Sequence, residues 1–547
     1  MFKKSLILFA AVLVVFIIVL SGCNNKTINQ EPPVAEESPV MGGSINIGLT
    51  SKIESLNPLM TQNKENEELI NLVFDGLVKP DENLLFQPAI ARKWEVSENG
   101  LDWTFYLRDD VYWHDGFHLT SQDVIFTFDK VFAEGENSTW KEKMSNIANY
   151  YAFDEKTIKI ELYQPDASFL SIMTIKILPQ HLLETGEENS GKLEEAFSQK
   201  PVGTGPYKIQ NWDHQKNIIE LTANDNYYLK RPYIDKIIFK TYEDIDSLRN
   251  AFDSGEIDIL TIEPSDWALY QEKEKVEIYE YPRLYYDFMA LNLSGKPAFF
   301  KDINLRKALI YGIQREKILQ EVLLGRGFTI NSPIPSISWA FNPNLIEYRF
   351  QPEKAAELLK QSGWSDTDNN GILDKNGIQL EFELLVNEEN QNRYLTALQI
   401  KEDLKKLGIN VKIRLKPWLQ VKKQIMSHNF EAALLGWELK PDPDLEYAFS
   451  SKKIRDGLNF VSYKNPEIDR ITAKARITVD INKRKALLFK AQEIINDELP
   501  YIFLFTHSRL LAANEKIKGI IPSPNGYLWG IENWWIPQKY QNTNGNS

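Results

Sequence analysis

The chain has 547 residues, 63 Lys and Arg against 76 Asp and Glu, a formal net charge of −13 and a single cysteine. That acidity excludes a nucleic-acid partner, which needs a basic face to displace counterions from phosphates. One cysteine leaves no disulfide framework, and 13 Trp with 23 Tyr are an aromatic load that suits either a large core or half-wet clefts and interfaces.

In chain order, Lys3 and Lys4 precede fifteen apolar residues, Leu6 to Leu20. A spanning helix needs about 20, so the segment reads as a signal peptide over residues 1–22. Ser21 and Gly22 before Cys23 resemble a bacterial lipobox, which implies cleavage before Cys23 and acylation of it. Residues 23–41 are rich in Pro, Glu, Asn and Gln without apolar periodicity and read as a flexible tether. The expected location is extracytoplasmic, with the chain held to the cell membrane by its N-terminal lipid. Roughly 500 residues remain, too many for one core, so two or three domains are expected.

Within that body Glu67 to Leu77, Ser121 to Phe132, Asn304 to Leu324, Pro352 to Gln361 and Ile481 to Asp497 carry helical spacing. Trp103, Phe105 and Leu107 share one face of a strand, as do Ile158, Ile160 and Leu162. Gly203, Gly205 and Pro206 mark a turn into the alternating segment Tyr207 to Trp212, the glycines being read as residues that permit positive φ. Ala397, Ile400, Leu404 and Leu407 lie at helical spacing, Gly408 is placed to end that helix, and Val411, Ile413 and Leu415 then alternate. The class is α/β or mixed α+β with several sheets.

Little of this points to catalysis. His114-Asp115 is better explained as a turn, and the histidines at 114, 118, 181, 214, 428 and 507 form no ligand cluster in sequence. There is no Gly-x-Ser-x-Gly elbow and no His-Glu-x-x-His pair, which weighs against an exported hydrolase. No cofactor is expected. Asp366, Asp368 and Asn370, with Gly371 at the sharp turn, have the spacing of a calcium loop. Gly377 stands where a bidentate Glu belongs, so an Asx-rich turn competes with that reading.

Several segments together resemble the extracellular solute-binding protein family 5, which includes oligopeptide-, dipeptide- and nickel-binding lipoproteins of ABC importers. The clearest runs from Lys93-Trp94 through Trp103-Thr104-Phe105 to Trp113-His114-Asp115-Gly116 and Asp123-Val124, with Asp102 as a departure. Leu56-Asn57-Pro58-Leu59, Gly203-Thr204-Gly205-Pro206-Tyr207, Asn224 to Pro232, Asn304 to Leu309 and Gly436-Trp437 follow in the family's order.

The resemblance implies a two-lobed, periplasmic-binding-protein-like fold of class II with an extra inserted small domain. It places lobe 1 at 42–78, 190–285 and 508–547, the inserted domain at 79–189 and lobe 2 at 286–507. Strands should cross between lobes near Leu284 to Asn292 and Phe503 to Leu511. The implied function is capture of peptides, by a monomer, in an interlobe cleft, and delivery to an ABC permease. A nickel or other metal chelate, or a ligand-sensing role, are the alternatives. Peptide-binding relatives carry an amine-pairing Asp three residues after the Gly-Trp pair; here Lys440 stands there, in a segment one residue shorter, as in nickel-binding members. Glu438, Asp442 or Asp444 are the candidate replacements, and Lys440 either enters the cleft or points to solvent. Trp437, Tyr285, Tyr286 and Trp339 are the candidate aromatic walls, and Thr61, Gln62 and Asn63 the candidate loop contacts.

Overall fold

The computed structural model describes residues 38–60, 64–133, 139–184 and 190–541. The expected signal peptide, Cys23 and most of the tether lie outside these residues. From Val40 onward the chain forms one compact unit.

A ten-strand path runs through that unit. Its order is Asn410–Lys416, Glu381–Asn387, Ala432–Glu438, Tyr285–Leu291, Tyr501–Asn514, Ile259–Ile262, Ser44–Leu49, Lys236–Thr241, Ile218–Ala223 and Tyr207–Asp213. The hydrophobic core is not continuous along it. Ile45, Ile47, Leu221 and Phe239 belong to one buried cluster, whereas Phe382, Leu384, Val411 and Leu434 belong to another. The strand Tyr501–Asn514 is common to both ends. Its first residues pair with Tyr285–Leu291, as in Ala290 opposite Tyr501, and its later ones pair with Val276–Pro282, as in Pro282 opposite Ser508. Val276–Pro282 and Tyr285–Leu291 are themselves separated only by Arg283 and Leu284, so the chain passes from one half to the other twice at the same place. This is the two-lobed periplasmic-binding-protein-like architecture, and a short double connection of this kind permits bending while each half stays rigid.

The lobe around Phe382 shows why the sequence folds as it does. The helix Gln391–Lys405 buries Ala397, Ile400 and Leu404, Gly408 at φ 76° turns the chain, and Asn410–Lys416 then lies parallel to Glu381–Asn387 in continuous register. Fully burying each such Leu or Ile contributes about 1.5–3 kcal/mol. The expected helix from Asn304 to Leu324 is two helices, Ile303–Gly312 and Arg315–Val322. Ile313 is extended between them, which aims the buried Arg315 guanidinium at the carbonyls of Ile330, Tyr348 and Phe503. Propensity cannot register that demand, because the acceptors come from other segments.

The smaller sheet has the order Ala91–Val96, Asp102–Leu107, Thr157–Leu162, Ile147–Asp154. Trp103 stands opposite Ile160 and Phe105 opposite Ile158, all four buried beside Phe169. The helix Ser121–Ala133 buries Val124, Phe128 and Val131. His114 ties this sheet to the larger one. The Gly203 N–H donates to His114 Nδ1 at 3.2 Å, and Nε2 of the same ring donates to Gly205 O at 3.0 Å. The reason given above for the two glycines needs correction, since neither has positive φ. A Cβ at Gly203 would overlap the Val73 carbonyl oxygen, and one at Gly205 would come within 2.5 Å of Leu72 O. Close approach to a helix end, rather than a left-handed turn, requires glycine here.

Candidate binding site

The strands Tyr285–Leu291 and Ala432–Glu438 are antiparallel, with Tyr285 opposite Glu438, Tyr286 opposite Trp437 and Asp287 opposite Gly436. Alternation therefore sends Tyr285, Asp287 and Gly436 to one face and Tyr286, Phe288 and Trp437 to the other. Both faces start at the point where the chain crosses between lobes.

The first face holds a buried ionic network. Arg393 Nε donates to Asp287 Oδ1 at 3.1 Å, its Nη2 to the Tyr285 hydroxyl at 2.8 Å and its Nη1 to Asn387 Oδ1 at 3.1 Å. Tyr285 in turn donates to Asp287 Oδ1 at 2.8 Å, and His507 Nε2 to Oδ2 at 2.6 Å. Burial pushes the Asp287 carboxyl up, but the His507 hydrogen bond and the Arg393 charge more than offset it and hold it below the usual carboxylate range. Arg393 is likewise desolvated, and the Asp287 charge restores it above its ordinary value. Gly436 is glycine for room, because any Cβ would overlap the Tyr285 hydroxyl and lie 2.6 Å from Arg393 Nη2.

The second face is aromatic. Phe288 stacks on Tyr501 with centroids 4.1 Å apart, Trp437 stacks on Phe460 at 5.8 Å, and Tyr447 meets the Trp437 ring edge-on at 5.1 Å. Trp437 and Tyr447 are half-buried, whereas Tyr286 and Tyr501 are fully buried. Of the expected walls, Trp437 and Tyr285 are thus partly accessible and Tyr286 lies behind them. Trp339 is half-buried elsewhere on this lobe, with the Arg484 guanidinium 5.6 Å from its ring.

Asp442 does not stand free to receive an amine. Arg484 Nη1 and Nη2 donate to its two carboxylate oxygens at 2.8 and 2.9 Å, and both side chains are buried. The same guanidinium donates to Ala167 O at 3.1 Å, beside the small sheet, and the Ala167 N–H donates to Arg476 O at 2.7 Å. Asp444 lies 3.6 Å from Arg476, and Glu438, which is exposed, 3.3 Å from Arg283. Lys440 is exposed too. Its charge reaches Lys143, whose ammonium is pulled down first by burial and then by Lys440. Thr61, Gln62 and Asn63 lie outside the described residues.

Ligand oxygens of Asp366, Asp368 and Asp374 lie within 4.8 Å of one another. Asp366 accepts from the Asn370 and Gly371 N–H groups, and Asp374 from Thr367, so the loop satisfies itself as an Asx turn.

Sequence reasoning missed Asp287, Arg393, His507, Tyr447 and Tyr501. Strand register brings Asp287, His507 and Tyr501 together, helices packed on the sheet add Arg393 and Tyr447, and only the Gly-Trp pair carried a local signal.

Residues 86–456 match the family model described as bacterial extracellular solute-binding proteins, family 5. The oligopeptide-binding protein AppA of Bacillus subtilis is 29% identical over 546 residues, covering 98% of this chain and 99% of that protein. Its structure in complex with a nonapeptide superposes with a TM-score of 0.63 at 29% identity, over 91% of this chain and 100% of the other. The structure of NikZ from Campylobacter jejuni in complex with Ni(L-His) gives 0.65, also at 29% identity, over 90% and 99%.

Proposed function

Because this chain belongs to the bacterial extracellular solute-binding proteins of family 5, which bind solutes rather than transform them, we propose that it captures peptides between its lobes and delivers them to an ABC importer. The observation that carries this reading is the position of Trp437. It is the penultimate residue of the strand Ala432–Glu438 next to the double crossing, half-buried, with Tyr447 edge-on to it and Tyr285 on the opposite face, so a solute that reached this wall would touch the hinge. Similarity to a peptide-binding relative along nearly the whole chain supports the same cargo.

Within this reading lobe 1 comprises 42–78, 190–285 and 508–547, the inserted domain 79–189 and lobe 2 286–507; separate core clusters support the division of lobe 2 from the rest, whereas the inserted domain shares one cluster with lobe 1 and is set apart by its own four-stranded sheet. Acylation of Cys23 would hold the body at the outer membrane face on its tether, supported by Lys3, Lys4 and the apolar run before it. Both Asp442 oxygens are committed to Arg484, so a ligand amine would be met by another acidic group, Glu438, 3.3 Å from Arg283, and Asp444, 3.6 Å from Arg476, being the other candidates.

A metal chelate is the second reading, supported by the similarity over 90% of this chain to a solved structure in complex with Ni(L-His). Native mass spectrometry of the protein as purified separates the two. Co-purified peptide masses are expected, and a lone chelate mass would overturn the peptide reading.

A further inference from the structure

The chain enters lobe 2 near Leu284 and leaves it near His507, side by side, with the Arg283 N–H donating to His507 O at 3.1 Å. The inserted domain shares a core cluster with lobe 1, so these two form one body. A second contact between that body and lobe 2 uses none of the crossing strands. It joins the turn over residues 164–168 of the inserted domain to the corner between the helices Pro466–Ile477 and Ile481–Glu498.

Both backbone groups of Ala167 are engaged there. Its N–H donates to Arg476 O at 2.7 Å, and its O accepts from Arg484 Nη1 at 3.1 Å. Arg476 lies in the last turn of its helix, where carbonyls lack an intrahelical partner, so the turn satisfies an acceptor that the helix leaves open. Val479, half-buried at the corner, packs against the cluster that lobe 1 and the inserted domain share. Gly100 shows how closely: a Cβ there would lie 3.1 Å from Pro165 Cβ and 3.3 Å from Val479 Cγ2.

The turn holds its shape by bonds within its own domain. Asp166 Oδ1 accepts from the Ser168 N–H at 2.8 Å and hydroxyl at 2.7 Å, and Asn146 exchanges two hydrogen bonds with the Gln164 backbone. On the other side, the same two arginines hold the segment that joins Trp437 to Tyr447. Arg484 grips the Asp442 carboxylate and the Pro443 carbonyl, and Arg476 Nη1 donates to Glu446 Oε2 at 2.6 Å. Docking of the turn is thereby linked to the half-buried wall. Separating the lobes at this corner breaks both Ala167 bonds, one of them to a guanidinium, and bares Val479. A net loss of that kind shifts a balance between open and closed lobes on the order of tenfold.

We propose that residues 164–168 are a clasp that engages lobe 2 when the lobes close on a peptide and slows its release, with Arg476 and Arg484 as positioning residues that tie the clasp to the wall. The assignment rests on the peptide reading and the domain division above and adds to them a device for retaining the cargo.

The test uses the full chain loaded with a synthetic mixture of random-sequence octapeptides, and native mass spectrometry follows the loss of retained peptide once free peptide is removed. Val479→Asp puts a charge into the apolar contact, next to a helix N-terminus that tolerates it. Arg484→Lys keeps a cation for Asp442 but has no fork to reach the Ala167 carbonyl as well. Both variants should release peptide about tenfold faster than wild type while loading at a rate within about twofold of it. Folding is checked by the thermal transition, and should Arg484→Lys fail to fold, Val479→Asp decides alone. Release at the wild-type rate, even with a lowered transition, would make the contact structural only and overturn the clasp while leaving peptide capture standing. If the wild-type chain retains no peptide mass, the peptide reading fails and the clasp falls with it.

Discussion

Gly436 lies directly beneath the Tyr285 hydroxyl, on the strand opposite Asp287, and the space a methyl group would fill there is already occupied. Adding one places a Cβ 2.5 Å from Tyr285 Cζ and 2.6 Å from Arg393 Nη2. The ring cannot retreat without releasing its bonds to Asp287 and Arg393, which leaves buried charged groups short of partners. Gly436→Ala should therefore destabilise the protein by about 2–4 kcal/mol, read from the urea midpoint. Adding Tyr285→Leu should recover part of that loss, because it removes the hydroxyl that the methyl group displaces. A single variant within about 0.5 kcal/mol of wild type would contradict the account.

The Asp442 and Arg484 pair is bidentate, with side-chain exposures of 7% and 4%, so neither charge is screened by water. Removing one partner strands the other in low dielectric. Arg484→Met should cost about 3–5 kcal/mol, and the double variant Asp442→Asn with Arg484→Met should recover much of it. Burial pushes the Asp442 carboxyl up, with Arg484 as the largest opposing influence. Without the arginine Asp442 should take up a proton, and the Arg484→Met defect should shrink as the pH falls. Equal defects at pH 5 and pH 8 in denaturation experiments would rule this out.

These two sites mark where sequence reasoning stops. The helix and strand spanning Gln391 to Lys416 were readable because core contacts recur within one or two turns and Gly408 ends the helix by its own backbone preference. Gly436-Trp437 was readable as a motif. Asp287 and Arg393 are 106 residues apart, and Asp287 and His507 220 apart, so no local pattern joins them. Asp442 stood out for its place after Trp437, but its commitment to Arg484 depends on how a helix 42 residues later packs. Gly203 and Gly205 were singled out correctly for a reason that the backbone angles do not support. A required glycine can reflect a torsion or a neighbour, and one sequence does not say which.

His114 gives a pH prediction. Burial is the main cause that brings its imidazole from 6.5 down to about 4, and the hydrogen bond it gives Gly205 only partly opposes this. Between those values the unfolded chain binds a proton that the folded protein refuses. The stabilising contribution of the neutral ring is complete above pH 6.5, is lost as the pH falls and is gone below about 4. At 1.36 kcal/mol per unit this amounts to about 3 kcal/mol. His114→Gln should flatten this part of the stability profile, keeping a donor for Gly205 O but no titrating group. Parallel curves for the two proteins between pH 4 and 6.5 would refute the assignment.

Glu68 has the opposite sign. Its carboxylate accepts from the Tyr527 N–H at 3.1 Å and the Leu528 N–H at 3.4 Å, yet burial outweighs both and raises it from 4.5 to about 7. Above pH 7 the group is ionised in both states, and the folded protein bears the cost of the buried charge. As the pH falls from 7 towards 4.5 the folded protein binds the proton first and gains stability, so this contribution favours the folded state in acid. Glu68→Gln removes the charge and, because Tyr527 N–H and Leu528 N–H bond different carboxylate oxygens, keeps a carbonyl oxygen for the nearer one, Tyr527. Allowing for the solvent contact the side chain keeps, the variant should be about 1–2 kcal/mol more stable than wild type at pH 8 and indistinguishable from it at pH 4.5. Gly526 packs so closely that a Cβ there would lie 2.5 Å from the carboxylate oxygens, so the substitution must match the glutamate in size. The measurement is the difference in urea midpoint between the two proteins across that range, and a difference that does not vary with pH would show that Glu68 is not the titrating group.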